Sequence, residues 1–101
     1  MTVDDARANM QAWRNNQAQI ASLEIERDDK LKRLFDYFFY QINKLSMEGI
    51  HSFTFVEKEV KQVYGNFNWN KVYNLFIQLG FTCNRDWDSY NSDWCWFIGG
   101  W

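Results

Sequence analysis

A chain of 101 residues suffices for one domain with a modest core and is too short for two. Its net charge of −2 and pI near 5.3 argue against a protein that holds duplex DNA by neutralising phosphates, because that footprint is basic. The N-terminal residues 1–14 are polar and alternately charged, with no apolar run of signal or membrane length, so a cytoplasmic protein with reduced cysteines and no membrane contact is expected.

Thr2-Val3-Asp4-Asp5 offers a capped helix start with acidic side chains beside the positive helix end. Beyond it Ala6, Met10, Trp13, Gln17, Ile20 and Leu23 recur every three or four residues, with one polar slip. So narrow a seam on a hydrophilic helix predicts coiled-coil-like association or docking along another helix. The charged stretch 24–30 reads either as a helix surface or as a short break. Residues 1–28 are therefore taken as a helical arm for oligomerisation or docking, and 29–101 as a compact α+β domain.

Leu31, Leu34, Phe35, Phe38, Phe39, Ile42 and Leu45 form a broad stripe, the signature of a central helix against the core. It should end near Met47, with Gly49 as the left-handed residue and Ile50 folding back. His51 to Phe55 reads as extended. Thr54 and Glu57 fit a capping box, predicting a helix to Tyr64 that Gly65 stops. Asn68 can cap the next helix, in which Trp69, Val72, Tyr73, Phe76 and Leu79 share a face, and Gly80 ends it with Phe81 packing on Phe76.

The closing hairpin runs from Phe81 to Trp87 and from Trp94 onward, around a polar turn at 88–93. Alternation sends Trp94, Trp96 and Ile98 to one face of the last strand, and Cys95 and Phe97 to the other. A turn centred on Ser89 sets Phe81 opposite Phe97 and Cys83 opposite Cys95, assigning these four to the domain's own core. Trp94, Trp96, Ile98 and Trp101 then need cover from a helix, another subunit or a ligand. The fold class is thus α+β: an N-terminal helical arm, three further helices and a small antiparallel C-terminal hairpin or sheet, in a winged-helix-like order.

Several chemistries are poorly supported. A winged-helix reader of DNA would use the helix from Trp69 to Leu79, but from Ile50 onward four basic residues (Lys58, Lys61, Lys71, Arg85) face five acidic ones (Glu57, Glu59, Asp86, Asp88, Asp93). Asp86 to Asn91 opens like a calcium loop but has Asn91 where the EF-hand needs glycine and Phe97 where it needs glutamate, so it reads as a solvated turn. His51 is the only histidine, which leaves no zinc pair, and the cysteines sit among large rings as small core residues do. No catalytic group, metal or cofactor is expected.

The suggestive pairing is aromatic with basic. Arg7 and Arg14, seven residues apart, share a side of the first helix beside Trp13, and arginine with tryptophan can hold a nucleotide by stacking and by forked bonds to phosphate. Arg7, Trp13, Arg14, Trp94, Trp96 and Trp101 are the candidate binding residues. Surface solvation by the arginines and a dry oligomer interface at the tryptophans is the plainer reading of the same side chains.

Four segments taken together, Met1-Thr2 with Ala6-Arg7, the helix end Ile42-Asn43-Lys44-Leu45-Ser46-Met47-Glu48-Gly49, the junction Leu79-Gly80-Phe81 and the terminal Trp96-Phe97-Ile98-Gly99-Gly100-Trp101, resemble a broad set of small bacteriophage proteins. The chain departs from them in the extra helix from Glu57 to Tyr64 and in its tryptophan load. The resemblance implies a context: virion accessories, or inhibitors of host defence that include oligomeric sponges for cyclic nucleotides. It implies no site residues. The leading expectation is a non-enzymatic homo-oligomeric binding protein, a counter-defence protein that sequesters a small nucleotide signal or blocks a host protein. A structural or accessory virion protein is the alternative, and a winged-helix DNA-binding regulator the second.

Overall fold

The computed structural model describes residues 2–101, and its order is α1 (Val3–Arg27), α2 (Asp29–Met47), β1 (Ser52–Val56), α3 (Glu57–Tyr64), α4 (Trp69–Gln78), β2 (Thr82–Asp88) and β3 (Asp93–Gly99). This is an α+β fold, and from α2 onward it follows the expected succession of helix, strand, two helices and hairpin. No helix among the described residues is long and apolar enough to cross a membrane.

Helix α1 starts as expected, with Thr2 Oγ1 accepting from the Asp5 amide at 3.2 Å and Asp5 Oδ2 accepting from the Thr2 amide at 3.1 Å. The charged stretch proves to be a break of one residue. Asp28 is extended, and its Oδ1 accepts from the amides of Lys30 and Leu31, so the residue that ends α1 also caps α2. At 25 residues α1 is about 37 Å long, and it draws the molecule out to 50 × 30 × 27 Å. It packs on α2 and α4 through Ala21 and Ile25, which are buried. The seam read from the sequence is not this docking face: Met10, Trp13, Ile20 and Leu23 remain exposed. The close approach goes instead to the small Ala21, whose side chain lets the helix backbones draw together.

The sheet order is β1-β3-β2, all antiparallel, with β3 in the middle. Here the sequence reading of the hairpin is reversed. Cys83 pairs with Ile98, not with Cys95, a shift of three positions. An odd shift exchanges the faces of paired strands. Trp96, Ile98 and Cys83 therefore point inward with Phe53 and Phe55 of β1, whereas Cys95 is only half-buried and Phe97 is 40% exposed. The face thought to lack a cover is the core face, and the chain's own helices cover it. Phe55 stacks between Trp96 at 5.4 Å and Phe38 of α2 at 4.8 Å, and Trp69 and Phe76 of α4 reach Trp96 at 5.9 and 6.3 Å.

The expected capping box at Thr54 is also corrected. Thr54 lies inside β1 opposite Phe97, and α3 begins only at Glu57 with no cap from its own N-terminal flank. A tertiary contact replaces it: Asp93 Oδ2, at the start of β3, accepts from the Lys58 amide at 2.6 Å. Glu57 is freed from capping and buried. Its Oε1 accepts from the Trp96 indole N–H at 2.8 Å and from Arg85 Nε–H, while Lys61 Nζ stands 3.8 Å from Oε2.

The other glycine stops hold as read. Gly80 has φ +96°, the Phe81 amide donates back to the Phe76 carbonyl at 3.1 Å, and the two rings meet edge to face at 6.0 Å.

Two outcomes follow from the inverted hairpin. Trp96→Ala, which empties the largest buried site and strips Glu57 of a donor, should cost about 3–5 kcal/mol in urea denaturation; a loss below about 1 kcal/mol would contradict the inward register. The thiols point to opposite faces, and burial pushes the Cys83 thiol up to about 12. Titration of the native protein with a thiol reagent should therefore label Cys95, with Cys83 reacting only on unfolding and no intrachain disulfide forming under oxidant.

Candidate functional site

The arm and the body enclose a cleft of about 540 Å³ between residues 11–18 of α1 and the C-terminal end of α4 with the Phe81 junction. That size lies in the range of small-molecule sites. Two independent packing events create it. Ala21 and Ile25 anchor the last turns of α1, and the Gly80 turn brings Phe81 back beside the end of α4. The arm N-terminal to Ala18 then runs past the body without being buried in it.

Trp13 and Arg14 come from the arm, and Gln78 and Phe81 from the body. Trp13 is 58% exposed and so has ring area free for a ligand. Arg14 forms no ion pair among the described residues. Gln78 contributes an amide whose Oε1 is buried and without a hydrogen-bond partner, one of two such side-chain atoms among the described residues, the other being Trp69 Nε1. An unpartnered buried acceptor is unfavourable by about 1–3 kcal/mol, so Gln78 Oε1 is a local weakness in the packing at the edge of the cleft. None of the described residues lining the cleft is a carboxylate. In a chain of net charge −2 this is a local reversal of sign, and it favours an anion.

A second, shallower hollow of about 490 Å³ continues along the arm and is lined by Arg7, Met10, Gln11 and Arg14, again without a carboxylate. Gln11 and Arg14 belong to both hollows. Arg7 also lacks an ion pair among the described residues.

The six residues singled out in the sequence thus divide. Arg7, Trp13 and Arg14 line the adjoining hollows. Trp101 lies behind the cleft: its ring meets Phe81 edge to face at 6.1 Å, and its indole N–H donates to the Ile50 carbonyl at 2.8 Å. Trp94 and Trp96 line neither hollow. Trp96 is 1% exposed in the core, and Trp94 lies toward the hairpin turn with Arg85 4.4 Å over its ring and Trp87 edge-on at 5.5 Å. Gln78 and Phe81 escaped the sequence reading as lining of a cleft shared with α1. The available signal was a second stripe on α4, Lys71-Leu75-Gln78, spaced by four and three, which turns out to face α1; Lys71 Nζ meets Glu24 Oε1 at 2.8 Å.

The remaining clusters are structural. Asp88 Oδ1 accepts from the Tyr90 amide at 2.9 Å and Oδ2 from Asn91 Nδ2 at 2.7 Å, and these bonds hold its carboxyl below the ordinary range. The acidic oxygens of the turn thus close the hairpin. No group of three side chains among the described residues is placed to bind a metal ion. No known family model, curated protein or solved structure matches the chain, so the chemistry of the cleft rests on its own residues.

Replacing Gln78 by Leu removes the orphaned acceptor at similar volume, so thermal denaturation should find the variant as stable as the wild type or more so. A fall of more than about 1 kcal/mol would mean that the Gln78 amide has a protein partner in solution.

Proposed function

We propose that this chain is a non-enzymatic binding protein that takes a small nucleotide-like anion in the cleft between α1 and α4. The observation that carries the reading is the convergence of Trp13, Arg14 and Phe81 on one cleft with no carboxylate in its lining. Two aromatic rings offer stacking to a planar base, and a free guanidinium offers forked bonds to phosphate. Such a lining binds and orients; it supplies no nucleophile.

The resemblance to small bacteriophage proteins suggests the setting, a counter-defence protein that removes a nucleotide signal from the host cytoplasm as a homo-oligomer. The oligomer draws no support from Trp96 of β3, which the monomer buries. Support comes from the arm, where Val3, Met10, Trp13 and Ile20 are exposed along one seam. The same seam favours a second reading, in which the arm docks on a host or virion protein. Duplex DNA fits less well, because Lys71, the only basic residue of α4, is engaged by Glu24.

Calorimetry of the full chain against mononucleotides and cyclic nucleotides tests the proposal. Binding should occur with at least one, and Trp13→Ala and Arg14→Ala should each weaken it by about tenfold or more without lowering the melting temperature, since both side chains are exposed. Absence of heat with every nucleotide from a folded protein would remove the nucleotide reading, and co-purification with virus particles would then support the docking reading.

A further inference from the structure

We infer that the forward part of α1 docks on the outer face of the sheet of a second copy of this chain, with Arg7 of one copy meeting Asp86 and Glu59 of the other. The inference specifies the homo-oligomer of the proposed function and leaves Trp13, Arg14 and Phe81 to the cleft.

The helices cover the face of the sheet toward which Trp96 and Ile98 point, whereas Thr54, Asn84, Asp86 and Phe97 on the opposite face are exposed. That outer face shows two rows in register, Val56-Cys95-Asp86 and Thr54-Phe97-Asn84, each crossing β1, β3 and β2. Phe97 stands in the middle at 40% exposure, where an antiparallel sheet wetted on one side ordinarily carries a polar residue. Its ring leans over Gly99, where an added Cβ would lie 3.1 Å from Phe97 Cε1. The ring therefore lies along the sheet and, with Cys95 and Val56, lines a hollow of about 510 Å³. The charge in that lining is of one sign: Glu59 and Asp86 border it, and no lysine or arginine does.

The arm carries the complement. Val3, Arg7, Met10 and Arg14 continue, at spacings of four and three, the stripe through which Ala21 and Ile25 pack on the body. Beyond the body this stripe forms the hollow lined by α1 alone, apolar at Val3, Ala6 and Met10 and charged only by arginine. The signs decide how two copies meet. Two arms laid face to face would set arginine against arginine, and two sheets carboxylate against carboxylate, so the matched contact is arm on sheet. The dimensions agree, since residues 3–14 span about 18 Å of helix and the seven-residue strands β2 and β3 about 23 Å. A contact between unlike surfaces closes when two copies exchange arms, and the pair then makes it twice.

Sedimentation equilibrium of the full-length chain, with no nucleotide present, tests the contact by exchanging charges. The wild type should exceed the monomer mass in the micromolar range. Arg7→Glu and Asp86→Arg should each weaken self-association about tenfold or more, because each sets like charges together. The double variant Arg7→Glu/Asp86→Arg restores opposite signs and should associate as the wild type does. Both side chains are exposed, so circular dichroism melts should match the wild type; if Asp86→Arg lowers the melting temperature, Glu59→Lys on the surface of α3 takes its place. A monomeric wild type, an oligomer that either exchange leaves intact, or a double variant that associates no better than the single ones overturns the arm-on-sheet contact. Each of those outcomes leaves the cleft to be judged separately, because the exchanges spare Trp13, Arg14 and Phe81 and nucleotide binding is read by calorimetry on the same samples.

Discussion

An ionised carboxylate taken out of water costs several kcal/mol unless its oxygens find donors, and Glu57 is 1% exposed. Much of the body's geometry is set by how that demand is met. The carboxylate sits in the first turn of α3, where the helix end favours negative charge. It receives the Trp96 indole N–H from the central strand and Arg85 from the edge strand, with Lys61 one turn along its own helix. One side chain thereby ties a helix to two strands. The contact matches the register: Arg85 and Trp96 are cross-strand partners, and with this face turned inward both reach Glu57.

The aromatic content follows from the same arrangement. A sheet of three strands has little width, so the large rings of β1 and β3 must fill the space under α2 and α4. The stack from Phe38 through Phe55 to Trp96 does this, with Trp69 and Phe76 closing around it. Burial on that scale explains why one fifth of the chain is aromatic without requiring a large external interface. Among the tryptophans, those left more than half exposed are Trp13 on the arm and Trp87 near the hairpin turn.

The arm is long because α1 needs only its last two turns to anchor it. Ala21 and Ile25 make that anchor, and the single extended residue Asp28 fixes the angle at which the helix leaves. The forward part of α1 can then present arginines and a tryptophan beside the body without being consumed by packing. Rigid helix geometry, rather than a loop, sets the spacing of the proposed contacts, which suits a protein that binds a ligand without transforming it.

The sequence determined the elements whose causes are local. Helix caps at Thr2 and Asn68, glycine stops at Gly49 and Gly80, the broad stripe of α2 and the alternation of β3 all arise from neighbours within a few residues, and so they could be read in order along the chain. On the arm the helical period likewise placed Trp13 beside Arg7 and Arg14. Alternation says only that Trp96 and Phe97 face opposite ways. Which of them faces the core depends on a pairing register that brings Trp96 to a buried carboxylate 39 residues away, and on a third strand that pairs from before α3. The cap of α3 by Asp93 is equally remote in sequence. The cleft belongs to the tertiary structure as well, because Gln78 and Phe81 acquire a role only when α1 folds back across α4, a contact that small residues on the arm permit and that no local pattern announces.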